Sequence, residues 1–214
     1  MKSVLSTKKL SFSQRELLLN AGISLVEYNA IKIDFIDFKA PSEIDNAIIT
    51  SQNSVSAIQH ANIKIQNCYC VGEKTKALLE KNGQKVIKMT EYASELAPYL
   101  VENHKNDHFY FFCGNIRSDV IPSALNENNV SFEEIKVYNT SLQPKKIERQ
   151  FDAIMFFSPS GVRSYFKENK TEALAVCIGT TTASEAKNYT DHVVVSNATI
   201  VESVIAKTVK TLRT

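Results

Sequence analysis

The chain repeats itself. Asp45-Asn46-Ala47-Ile48-Ile49-Thr50-Ser51-Gln52-Asn53-Ser54-Val55 reads like Asp152-Ala153-Ile154-Met155-Phe156-Phe157-Ser158-Pro159-Ser160-Gly161-Val162, with Ser51 laid on Ser158. Cys70-Val71-Gly72-Glu73-Lys74-Thr75 matches Cys177-Ile178-Gly179-Thr180-Thr181-Thr182 at the same displacement of 107 positions, half of the 214 residues. Ile23-Ser24-Leu25-Val26-Glu27 on Val130-Ser131-Phe132-Glu133-Glu134, and Val4-Leu5 on Phe111-Phe112, are weaker matches at that shift. Chance agreement among β-α units, which all open with an apolar strand and a small-residue turn, is the competing reading. Two ungapped segments at one displacement favour duplication.

Within each half, short apolar runs alternate with helix-like segments, which predicts a parallel sheet covered by helices on both faces. Strands are expected near residues 4–5, 47–50, 69–71, 86–87, 109–113, 154–157, 176–178 and 193–195, most too short and apolar for amphipathic helices. Helices are expected over 74–81, stopped by Asn82-Gly83, and over 94–102, 118–126 and 199–210. Residues 28–38 and 134–142 break this rhythm. Both alternate apolar and polar residues for longer than a buried parallel strand does, and both occupy equivalent places in the repeat. They read as a pair of connecting strands, a two-stranded hinge between domains.

Composition narrows the function. The 25 basic and 23 acidic residues leave a net charge of +2 without a basic stripe, so nucleic acid is not an expected partner. Met1-Lys2-Ser3-Val4-Leu5-Ser6 turns polar too soon for a secretory signal and no later stretch reaches membrane-spanning length, so a cytoplasmic protein with no membrane partner is expected. Cys68, Cys70, Cys113 and Cys177 sit in apolar runs and read as buried small hydrophobes. Cys68-Tyr69-Cys70 is not C-x-x-C, and His60, His104, His108 and His192 show no ligand spacing with it, so no metal site is expected.

Several strands end in small polar residues that open a helix: Thr50-Ser51-Gln52-Asn53, Gly72-Glu73-Lys74-Thr75, Gly114-Asn115-Ile116-Arg117, Ser158-Pro159-Ser160-Gly161 and Gly179-Thr180-Thr181-Thr182. Such turns present free N–H groups and hydroxyls, and ligands of open α/β sheets bind at this edge, where helix N-termini favour anions. For any one turn, simple helix capping is the blander explanation. Their number points to a polyanionic ligand. No G-x-x-x-x-G-K-[ST] or G-x-G-x-x-G is present, so ATP and NAD are not indicated. No catalytic triad or nucleophile elbow stands out.

Phe156-Phe157-Ser158-Pro159-Ser160-Gly161-Val162, Ile178-Gly179-Thr180-Thr181-Thr182-Ala183, Phe112-Cys113-Gly114-Asn115-Ile116-Arg117 and Val137-Tyr138-Asn139-Thr140 resemble, in the right order, the recurring signatures of uroporphyrinogen-III synthases. The resemblance is clear from Thr50 to the C-terminus and weak over the first forty residues. It implies an α/β fold of two flavodoxin- or Rossmann-like parallel-sheet domains on a two-stranded connector, with the substrate in the interdomain cleft. The implied boundaries are 1–34 with 143–214, 39–135, and connectors 35–38 and 136–142.

The resemblance also implies the reaction: closure of hydroxymethylbilane to uroporphyrinogen III, with loss of water and inversion of the last pyrrole through a spirocyclic intermediate. No cofactor is implied. The implied partner is that small molecule, handed over by hydroxymethylbilane synthase, and the implied state is a monomer. Tyr138 matches the family's cleft tyrosine, and a phenol, with its ordinary pKa of about 10, is a proton donor for the leaving hydroxyl; packing at the connector's end is its other reading. Ser51, Thr75, Ser158, Ser160 and Thr182 match cleft-facing positions, with Asn53, Thr181, Asn115 and Arg117 as further substrate-binding candidates. Where many relatives carry Ser-Pro-Arg, this chain has Ser51-Gln52-Asn53, which shifts carboxylate binding toward Lys74 or Arg163. A two-domain receptor of the periplasmic-binding type is the alternative; it shares duplication, hinge and cleft.

Overall fold

The computed structural model describes residues 1–59, 61 and 63–213; His60, one of the histidines weighed above as a ligand, lies outside them with Asn62 and Thr214. The chain divides into two units of dense internal packing, Met1–Lys32 with Ser141–Thr214, and Ile33–Thr140.

The first unit holds β1 (Ser3–Ser6), α1 (Phe12–Leu19) and β2 (Ser24–Glu27), then β9 (Ala153–Phe156), α6 (Pro159–Phe166), β10 (Leu174–Cys177), α7 (Thr180–Ala186), β11 (Val193–Val195) and α8 (Val201–Arg213). Its five strands lie in the order β11-β10-β9-β1-β2, all parallel. The strands read as continuous apolar runs because both faces are covered. Val4, Met155 and Val176 pack with Leu18, Val204 and Ile205 of α1 and α8, while Leu5, Ile154 and Phe156 pack with Val162, Tyr165 and Ala183 of α6 and α7.

The second unit holds β4 (Glu43–Ile49), α2 (Gln52–Ile58), β5 (Lys64–Val71), α3 (Glu73–Lys81), β6 (Val86–Thr90), α4 (Ala93–Asn103), β7 (His108–Gly114) and α5 (Val120–Glu127). Two further strands, β3 (Ile31–Phe35) and β8 (Ser131–Leu142), complete the order β3-β8-β7-β4-β5-β6. Ala47, Ile49 and Phe112 pack against α2 and α3, and Ile48, Phe109 and Phe111 against α4 and α5. Each such fully buried Phe or Ile side chain contributes about 1.5–3 kcal/mol.

The Ile36 N–H donates to the Val137 carbonyl (3.3 Å) and the Gln143 N–H to the Ala30 carbonyl (2.8 Å). The numbering runs in opposite senses along the two strands, so β3 lies antiparallel to β8. The division between the units falls within these strands, after Lys32 and after Thr140.

The sequence expectations locate most elements, with shifts at their ends. The helix expected over 118–126 starts at Val120, that over 199–210 runs Val201–Arg213, and α3 stops at Lys81 before Asn82-Gly83 as expected. The segment 28–38 is not one strand: Tyr28 to Ala30 form a loop, and only Ile31–Phe35 is extended in the sheet. Its counterpart starts earlier than 134, at Ser131, because β8 pairs with β7 from His108 onward. The first forty residues supply α1 and β2, which no strong local pattern marks.

Candidate functional site

Every strand-end turn singled out in the sequence lies at the carboxyl end of a parallel strand. Ser51 follows β4 and caps α2, its hydroxyl accepting from the Asn53 N–H (3.2 Å). Ser158 follows β9 and caps α6, accepting from the Gly161 N–H (3.1 Å) and sharing a hydrogen bond with the Ser160 hydroxyl (3.1 Å). These two serines occupy the same place in the repeat and do the same local work.

Gly72 and Gly179 open α3 and α7 with no side-chain cap. Gly72 has φ of 87°, a left-handed conformation that glycine adopts without strain. Each glycine is followed three residues on by a buried threonine, Thr75 and Thr182. Among the described residues neither hydroxyl has a hydrogen-bond partner, and neither is among the fully enclosed unpartnered polar atoms, Tyr28 Oη, Asn82 Nδ2 and Ser164 Oγ. Both threonines are thus buried, with hydroxyls that lack a partner among the described residues but are not fully enclosed. Thr181 is exposed beside Thr182.

The turn after β7 is built differently. The Asn115 side chain accepts from the Thr140 N–H (2.6 Å) and donates to the Thr140 carbonyl (3.3 Å), so its amide is spent on β8. Arg117 grips Glu134 with two parallel bonds, Nε to Oε2 (2.9 Å) and the second nitrogen to Oε1 (2.5 Å), and also bonds Asp119. The Glu134 and Asp119 carboxylates raise the Arg117 pKa above its ordinary value, against the opposing cost of burial. Arg117 is thereby held as a cation whose charge these carboxylates balance. Of the two cations expected to replace the missing arginine, Arg163 pairs with Glu185 (3.0 Å) and Lys74 is also engaged.

Tyr138 is only 6% exposed and packs in the core with Phe112, Ile135 and Val137. Its ring lies over Gly114: a Cβ there would stand 2.4 Å and 2.5 Å from two ring carbons. Its hydroxyl has no hydrogen-bond partner among the described residues and is not fully enclosed.

Sequence reasoning passed over the turn after β1. There the Thr7 hydroxyl donates to the Met155 carbonyl (2.8 Å), the Ser6 hydroxyl donates to the Lys8 carbonyl (2.5 Å), and Lys8 and Lys9 are exposed without an ion pair among the described residues. The repeat lays Thr7-Lys8 on Gly114-Asn115, a correspondence that marks this turn once the displacement is applied throughout. All four cysteines are free and buried, and burial pushes Cys68, Cys70 and Cys177 up to about 12 and Cys113 to about 11. Such thiols are poor nucleophiles. Among the described residues no cluster of His, Cys, Asp or Glu could hold a metal ion, and no helix is long and apolar enough to cross a membrane.

Two sheets, one parallel and one parallel but for β3, each flanked by helices and each ending in uncapped or serine-capped helix N-termini without a nucleotide loop, define a duplicated, doubly wound α/β protein suited to an anionic ligand. The chain belongs to the uroporphyrinogen-III synthase family, whose sequence model, described as uroporphyrinogen-III synthase HemD, matches residues 13–206. A uroporphyrinogen-III synthase candidate of Archaeoglobus fulgidus is 31% identical over 170 residues, 72% of this chain and 73% of that protein. The porphyrin biosynthesis protein HemD of Ruminiclostridium josui is 36% identical over 104 residues, 43% of this chain and 21% of that longer protein. The crystal structure of uroporphyrinogen-III synthetase from Helicobacter pylori matches the fold with a TM-score of 0.70 at 15% identity, covering 99% of this chain and all of that one. A mutant uroporphyrinogen III synthase from Thermus thermophilus gives 0.71 at 13% identity, with 100% and 99% covered. The family match decides against the receptor alternative.

Proposed function

We propose that this chain is a hydro-lyase that closes hydroxymethylbilane to uroporphyrinogen III. The observation that carries the reading beyond family membership is the pair of hydroxyls without a partner among the described residues, Thr75 and Thr182, set at equivalent positions behind uncapped glycines. An N–H group that has no carbonyl of its own helix to bond, beside a hydroxyl, suits a carboxylate. Ser51, Ser158 and Ser160 extend those two edges, and Asn53 and Thr181 flank them. Arg117 already has carboxylate partners and plays a lesser part in binding, and the Asn115 amide, spent on Thr140, is not counted among the ligands.

In the reaction the terminal hydroxyl leaves as water, taking a proton from Tyr138. The substituted carbon of the last pyrrole attacks the exposed methylene, the spirocycle fragments, and reclosure inverts that ring. The proton released as the pyrrole regains aromaticity returns to the phenolate, so one water is lost overall. An electron-rich pyrrole expels its own leaving group once a donor assists, which leaves conformer selection as the main demand on the protein. The substrate is a small molecule received from hydroxymethylbilane synthase, and the enzyme acts as a monomer in the cytoplasm.

Adding the protein to fresh hydroxymethylbilane, oxidising the products and separating type I from type III uroporphyrin tests the proposal. A protein-dependent excess of type III is expected; type I alone from folded protein returns the chain to a binding role. Tyr138→Phe is expected to lower turnover about 10²-fold or more, and unchanged kinetics would remove its catalytic role.

A further inference from the structure

The β7–β8 ladder carries an irregularity beside Tyr138. Cys113 pairs with Lys136, but the next residue, Gly114, pairs with Tyr138, leaving Val137 as an extra residue. The burial pattern records the consequence. Ile135 and the bulged Val137 are buried at odd positions, whereas Tyr138 and Thr140 are buried beyond the bulge, a switch from odd to even positions. A regular strand turns successive side chains to opposite faces, so without the bulge Tyr138 would leave the face it shares with Gly114.

Two features hold that shifted register. Gly114 provides the space, since any Cβ would overlap the Tyr138 ring. Asn115 provides the bonds: its own N–H donates to the Tyr138 carbonyl (3.3 Å), and its side-chain amide then pairs both backbone groups of Thr140, standing in for a ladder partner where β7 has ended. Tyr138 is thus bracketed by bonds at its own carbonyl and two residues on, while its hydroxyl has no described partner.

We propose that Gly114 and Asn115 are positioning residues that aim the Tyr138 phenol, and that Asn115 acts through Tyr138 rather than by touching substrate. This rests on the reading of Tyr138 as the proton donor, and the test separates the two. Asn115→Ala removes both side-chain bonds. Asn115→Asp keeps an acceptor for the Thr140 N–H and loses the donor, and Gly114→Ala forces the ring aside.

Steady-state kinetics of each variant should be measured alone and combined with Tyr138→Phe, alongside the ¹⁹F spectrum of protein carrying 3-fluorotyrosine, with the Tyr138 resonance assigned by its loss in Tyr138→Phe. Asn115→Ala is expected to lower kcat about 10- to 100-fold with KM nearly unchanged, to have no further effect in the Tyr138→Phe background, and to move the Tyr138 resonance. Asn115→Asp should fall between Asn115→Ala and the unaltered protein, and it carries the same comparison with Gly114→Ala if Asn115→Ala does not fold. A rise in KM alone that persists in the Tyr138→Phe background would overturn the proposal in favour of direct substrate binding. An unmoved resonance would overturn the clamp itself. Full activity of Tyr138→Phe would sink the donor role of Tyr138, and with it the catalytic meaning of the clamp.

Discussion

The two units have the same sheet written in different chain order. In the first the strands lie β11-β10-β9-β1-β2; in the second, leaving aside β3, they lie β6-β5-β4-β7-β8. The displacement of 107 lays β4, β5 and β6 on β9, β10 and β11, and β1 and β2 on β7 and β8, so the orders become identical. Each unit therefore takes two strands from one repeat and three from the other. The duplication is real in space, but no repeat forms a domain by itself. The chain crosses between units inside β3 and β8, so one unit, Ile33–Thr140, is continuous and the other is discontinuous.

The largest expected effect breaks this comparison outright. A fragment of residues 33–140 should unfold cooperatively on its own, because it carries five parallel strands and four helices around one sheet. Fragments 1–107 and 108–214 should each lack a cooperative transition alone and regain it when mixed, as judged by circular dichroism during urea titration. Cooperative folding of either half alone would mean that a repeat can close its own sheet.

A second comparison concerns equivalent carboxylates, Glu27 at the end of β2 and Glu134 in β8. Each is gripped by an arginine through two nitrogens, but from different places: Arg15 in α1 reaches Glu27 (2.6 Å), and Arg117 in the turn after β7 reaches Glu134. Arg117 is the less exposed arginine, Glu27 the less exposed carboxylate. Arg117→Met should cost about 2–3 kcal/mol, because Glu134 then keeps only the weak Cys113 thiol as donor among the described residues, whereas Glu27 without Arg15 retains the Leu10 N–H (3.3 Å). Arg15→Met should cost about 1 kcal/mol. Equal costs in denaturant titrations would show that the remaining donors do not distinguish the pairs.

The smallest effect comes from Asp45 and Asp152, also equivalent. The Ser3 N–H, first, and Lys2 hold the Asp152 carboxyl below its ordinary range, with bonds of 2.8 Å and 2.9 Å. A carboxyl whose folded pKa is lowered stabilises fully above its unfolded value, about 4, and loses that contribution as pH falls through the folded value. Asp152→Asn should therefore cost about 1 kcal/mol at pH 7, with the difference closing in acid, while Asp45→Asn, at an exposed site, should change little. A pH-independent difference for Asp152→Asn would remove the ionic explanation.

The two units also clamp the ends of the equivalent strands β2 and β8 from opposite sides. In one, the Asn29 side chain, just after β2, accepts from the Lys9 N–H (3.0 Å) in the turn. In the other, Asn115 in the turn reaches out to Thr140 on the strand. Both clamps were invisible in the sequence, where Asn29 and Asn115 are two asparagines among many. Asn115 looked like a ligand for substrate because it stands in a polar turn, and only the position of β8 shows that its amide is already occupied. Arg117 is the same case, since Glu134 is distant in sequence and adjacent in space. Ser51 and Ser158, by contrast, were legible: an N-cap bonds within three residues, so local order suffices to place it.

The sequence by itself determined the duplication, the α/β class, most strands and the helix-opening turns, because these depend on periodicity and on residues a few positions apart. Tertiary structure decided which strands share a sheet, since apolar runs buried on both faces are interchangeable by pattern and a sheet's order is set by packing among distant segments. It also decided the orientation of Tyr138. One extra residue in a ladder reverses which face a side chain takes, and nothing in the local alternation of β8 announces where that residue falls.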